Sequence, residues 1–165
     1  MNNIRRATIK DVPEIARLLV QIDNVHAEIR PDIFQKNHPK YNEEQIAAII
    51  EDDDTPVYVA EANEDELYEN AKANENTPKL AGHLFAIKKE DELLGKHLYI
   101  DDLCVDESER RKGIAAKLMQ FVEEDAKKQG IKRITLNVWK GNTEGESFYE
   151  KTGFKTLKTT LEKML

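Results

Sequence analysis

The residues best suited to chemistry fall in three short stretches. Arg110, Arg111 and Lys112 stand directly ahead of Gly113, Ile114 and Ala115; Asp101 and Asp102 lie upstream of them; Asn142 and Tyr149 lie downstream. Three adjacent cations before a glycine suit an anion, provided a helix begins there. The first N–H groups of a helix lack intrahelical partners, and its dipole adds positive potential. Gly113 and Ala115 carry too little bulk to keep a phosphate off that backbone. A charged surface turn would use the same residues, but cations opening a helix with an apolar face favour the anion site. The stretch is neither a Walker A loop, which needs Gly-Lys-Ser/Thr, nor a dinucleotide fingerprint, which needs a third glycine.

Strand alternation sends Asp101 and Asp102 to opposite faces, so only one can face a given site. Cys104, the single cysteine, sits in an apolar strand and reads as an inert buried thiol. No His/Cys cluster has metal-ligand spacing, and no metal is expected.

Periodicity supplies the elements that position these groups. Tyr99, Ile100, Leu103 and Val105 have strand composition, whereas Ile114, Leu118, Phe121 and Val122 have helical spacing, so the period changes at Arg110 to Gly113. Upstream, residues 3–7 read as a strand. A Thr8/Asp11 capping box with Pro13 then opens a helix expected to fade near Asp23 and Asn24. Residues 26–41 read as irregular. Asn42 with Gln45 caps a second helix, which stops at the acidic run Glu51 to Asp54. Residues 57–61 and 80–87 are strands, and the Glu- and Asn-rich segment 62–78 between them reads as an extended connection.

A helix closing at Gly130, a strand over 131–139, a helix opened by a Thr143/Glu146 box and a final strand or hairpin over 154–165 complete the chain. The order implies a single domain over 1–165 of mixed α/β (α+β) class. Its sheet holds six to seven strands: an antiparallel meander plus a parallel pair joined by a right-handed helical crossover, flanked by about four helices. A net charge of −7 excludes a protein devoted to nucleic acid. The lack of a signal core or spanning run points to a cytoplasmic protein with no membrane partner.

Taken in order, Arg110-x-x-Gly113-x-Ala115, the strand ending Leu136-Asn137-Val138-Trp139, and Asn142 followed by Phe148-Tyr149 and Gly153-Phe154 resemble the GCN5-related N-acetyltransferase superfamily. The resemblance spans nearly the whole chain and implies acetyl transfer from acetyl-coenzyme A to an amine by direct attack in a ternary complex. It also implies that strands 96–105 and 131–139 splay apart. The backbone of Leu103 and Val105 would then hold the pantetheine arm, an N–H near Val105 would polarise the thioester carbonyl, and Arg110 to Ala115 would take the pyrophosphate.

By the same resemblance Asn142 contacts the cofactor, although it serves equally well as a helix N-cap. Tyr149 is the acid that protonates the departing thiolate, a task suited to a phenol of pKa about 10, and Phe148 is left to the core. Gly145 stands where the family usually has alanine. Leu98 to Leu103 is similar to the Leu-Glu-Asp stretch of polyamine-type members, which makes Asp101 the group that binds or deprotonates the amine. Asp102 is then a structural acceptor or pocket residue. His26, Asp32, Phe34 and Tyr41 lie in the segment that covers the acceptor pocket in this family. The acceptor is a small amine, polyamine-like, or a peptide amine, and a homodimer fits the family's habit. The alternative is a non-catalytic acyl-coenzyme A sensor on the same fold.

Overall fold

The structure, a computed structural model, describes residues 3–63 and 79–165. The expected connection 62–78 lies almost wholly outside the described residues. Five strands form one sheet in the order β1 (Ile4–Arg6), β2 (Val57–Glu61), β3 (Leu80–Asp91), β4 (Gly95–Val105) and β5 (Ile134–Leu136). The first four pair antiparallel, and β4 and β5 pair parallel through the crossover helix. Helices α1 (Val12–Ile29) and α2 (Glu43–Glu51) cover one face; α3 (Ile114–Lys128) packs on the other, and α4 (Thr143–Lys151) follows β5.

Ile15, Leu18 and Leu19 of α1 and Ile46 of α2 bury against Val57, Val59 and Phe85. Leu118, Met119 and Val122 of α3 bury against Tyr58, Leu84 and Ile100. Alternate residues of each strand thus feed two separate cores.

Several boundaries differ from expectation. Helix α1 continues past Asp23 to Ile29 because the Asp23 carboxylate, instead of ending the helix, accepts the Lys40 backbone N–H at 2.8 Å. Thr8 and Asp11 do form a box, but it closes on a short 3-10 turn, Ile9–Asp11, ahead of α1. Strand β5 is three residues long, and residues 154–165 form no strand, so the described sheet has five strands rather than six or seven. Asn142, not Thr143, caps α4: its side-chain oxygen accepts Gly145 N–H at 3.0 Å.

The irregularity that matters most lies in β4. Phe85 stands opposite Asp102 and Ala86 opposite Ile100, so Asp101 is a one-residue bulge with no partner on β3. Beyond Ile100, β4 also leaves β5: their ladder covers only Leu98–Ile100 against Ile134–Leu136.

Candidate active site

Where β4 parts from β5, one backbone edge is left open. Asp106 N–H reaches Ala81 O on the β3 side at 2.8 Å, so alternation turns the N–H and C=O groups of Leu103 and Val105 toward the gap. Arg110 Nε approaches Val105 O there at 3.4 Å. The β3 side is closed tightly, since a Cβ on Gly82 would lie 2.7 Å from Cys104 O.

The junction after β4 is shaped by two left-handed residues, Arg111 (φ 64°) and Gly113 (φ 79°). Gly113 is the N-cap of α3 and offers no side chain to its first N–H groups, and a Cβ there would meet nothing within 4 Å. The helix therefore opens onto space with its donors uncovered, an arrangement suited to an oxyanion. Asp106 anchors the approach by accepting from Arg17, Gln21 and Ser108. The three cations differ in role. Lys112 bridges to the buried Glu109 carboxylate at 3.1 and 3.2 Å, Arg110 leans on Val105, and Arg111 is exposed. Ile114 is buried in the core and can contribute only its backbone; Ala115 follows half-buried.

The bulge changes the expected geometry of the aspartates. Asp101 meets Lys40 Nζ through both carboxylate oxygens at 2.8 Å and accepts Tyr41 Oη at 2.8 Å. Asp102 bonds His83 Nε2 at 2.5 Å; His83 stands edge-on to Phe85, and Phe85 stacks on Tyr41. Both carboxylates therefore lie on the α1/α2 face, not on opposite faces, because the inserted residue breaks the alternation. The buried Asp102–His83 pair leaves His83 Nδ1 without a partner.

Burial raises the pKa of the Tyr149 phenol to about 12, and the Asp102 charge adds to this. Its hydroxyl makes no hydrogen bond among the described residues, while its ring packs between Phe148 and Phe154 and against the α3-side core. Phe148 is not part of either core, contrary to expectation: the core contact falls to Tyr149. Burial pushes the Cys104 thiol well above its usual range, and its Sγ contacts Leu18 O, so it is no nucleophile.

Of the residues expected to line the acceptor pocket, Tyr41 and Asp102 lie with Asp101. His26 and Phe34 form a neighbouring aromatic group with Trp139 (5.1 and 5.3 Å between centroids), onto which Arg30 also packs. Asp32 is held away on Arg30 at 2.6 Å, exposed. Lys40 and His83 carry no sequence signal: Lys40 falls in an aperiodic segment, and His83 alternates into a core. Among the described residues no three His, Cys, Asp or Glu could hold a metal, and no helix is long and apolar enough to cross a membrane.

Comparison with known proteins follows the same lines. A point mutant of the BH1408 protein from Bacillus halodurans superposes with a TM-score of 0.84 at 29% identity, over 99% of each chain. AAC(6')-Iy, in complex with the bisubstrate analogue CoA-S-monomethyl-acetylneamine, shares the fold at 15% identity (TM-score 0.70, 100% and 98% covered). A GCN5-related N-acetyltransferase 6, chloroplastic, of Arabidopsis thaliana is 41% identical over 61 residues, 37% of this chain; the match spans only 21% of that relative's length. The family model described as the Acetyltransferase (GNAT) family matches residues 21–154, most of the chain, and with the parted strands and the glycine-capped helix it leaves one conclusion: the chain belongs to the GNAT acetyltransferase family.

Proposed function

We propose that the chain transfers an acetyl group from acetyl-coenzyme A to a primary amine of a small molecule or peptide, in the cytoplasm, by direct attack. The observation that carries this reading is that β4 leaves β5 at its bulge, setting an open backbone edge beside a paired carboxylate. Acetyl-coenzyme A, when bound, supplies the activated acetyl thioester. The fit is good: Arg111 to Ala115 offer N–H groups to the pyrophosphate, Leu103 and Val105 offer an unpaired strand edge to the amide-bearing arm, and Asn142 flanks it from α4.

Within this reading Val105 N–H polarises the acetyl carbonyl. Asp101 binds the acceptor ammonium and takes its proton as the amine attacks. Tyr149, its pKa raised to about 12 by burial, holds its proton at neutral pH and gives it to the departing thiolate. Asp102, tied to His83, supports the site without touching the amine. The test is release of free thiol from acetyl-coenzyme A across a panel of primary amines and peptides. Amine-dependent release is expected; tight binding of the cofactor with no acceleration by any amine would refute transfer and leave a binding module.

A further inference from the structure

Asp101 already holds a primary ammonium, and it is the chain's own. Lys40 Nζ lies 2.8 Å from both carboxylate oxygens, with Tyr41 Oη donating to the same carboxylate at 2.8 Å. We infer that Lys40 is an intrachain occupant of the acceptor-amine site, and that the acceptor binds by displacing it. The inference rests on the proposed transfer to amines and adds how that site is kept when no acceptor is bound.

The two partners are unequally placed. The Asp101 side chain is only 11% exposed, whereas Lys40 is 44% exposed and comes from the segment between α1 and α2, outside regular structure. Such a cation can swing into solvent on its flexible stem, but the carboxylate cannot follow it. A largely buried carboxylate left without a counter-charge is costly, which favours another cation in the vacated place. The surroundings suit an ammonium: the Tyr41 ring centre lies 5.2 Å from Lys40 Nζ, and the Tyr41 hydroxyl donates to the same carboxylate. A purely structural ion pair would not need an extra residue in β4, yet Asp101 is that residue. The acceptor class that follows is an unhindered primary alkylammonium.

Two measurements test this. In amine-dependent thiol release with spermidine, Lys40→Met is expected to lower KM at least fivefold with kcat within about twofold of wild type. Lys40→Arg, which keeps a cation, should not lower it. An unchanged or higher KM in a folded Lys40→Met protein overturns the inference. Independently of turnover, the lysine ammonium resonances of the wild-type protein, with Lys40 assigned through the variant, are followed as spermidine or methylammonium is added. Loss of the protected Lys40 signal is expected, and its persistence at saturating amine overturns the proposal. If no amine drives thiol release but the Lys40 signal is displaced, acetyl transfer fails while the ammonium site stands.

Discussion

Tyr149 shows how surroundings, more than residue type, set a role. A phenol in water has a pKa near 10; burial and the Asp102 charge raise this one to about 12. Its acid form therefore persists through the whole neutral range, and any contribution it makes as an acid is lost only as pH rises through about 12. The pH profile of kcat should show no fall assignable to Tyr149 below about pH 11. Tyr149→Phe should lower kcat by roughly 10²- to 10⁴-fold with little change in coenzyme A affinity measured by calorimetry; equal turnover would remove Tyr149 as the acid. Lys40 and Tyr41 illustrate the converse. Burial alone would lower the Lys40 pKa, yet the Asp101 carboxylate overcomes this and raises it, while burial and Asp101 together raise that of Tyr41. Both therefore stay protonated around Asp101, and the carboxylate they share is reserved for cationic partners.

Between β4 and α3, the proposed cofactor site depends on backbone conformation that side chains only permit. Gly113 at φ 79° turns the first donors of α3 outward, a conformation that costs other residues about 1–2 kcal/mol. Gly113→Ala should weaken coenzyme A binding about tenfold or more in a calorimetric titration while lowering the melting temperature by only a few degrees. Gly113→Asn, which tolerates the left-handed region, should restore most of the affinity. If alanine binds as tightly as glycine, the helix N-terminus is not the phosphate site.

This junction was legible in the sequence because a change of period and a glycine mark it, and the Asn42/Gln45 box of α2 was legible because capping is local. The bulge was not legible: Asp101-Asp102 looks the same in a straight strand, and only pairing with Phe85 and Ala86 places the extra residue. Nor was the end of α1, since only the distant Lys40 N–H explains why Asp23 can sit inside a helix. The apolar residues of 154–165 suggest a strand, but there they meet no ladder: Leu157, Leu161 and Met164 are exposed.

Across the molecule, paired carboxylates tie β1 to β2 and fasten the sheet to the start and middle of α1. Burial would raise the Asp11 carboxyl, but Arg5 and Thr8 outweigh it and hold it below the usual range. Arg5 and Asn3 do the same for Glu61, and Ser108 and Arg17 for Asp106 against its burial. Groups depressed in the folded state add stability that is complete above their unfolded values near 4 and is lost as pH falls through the folded ones. Denaturant titrations should therefore show stability falling steeply below about pH 4. Arg5→Gln should lower stability at pH 7 but converge on wild type near pH 2; parallel curves at all pH values would exclude these pairs as the cause.

The bulge also has a consequence for how this chain tolerates a change of length. Leu98 and Ile100 face the α3 core, whereas Cys104 faces the α1/α2 core, and the inserted residue is what reconciles the two phases. Removing Asp101 alone would leave every flanking side chain on its present face and regularise the ladder. A protein lacking that one codon should fold with unchanged far-ultraviolet circular dichroism yet lose the ammonium site, whereas deletion of Ile100 or Leu103 should unfold it. A deletion at the bulge thus leaves the strand in phase, a place where a lineage could drop the ammonium site and keep the architecture.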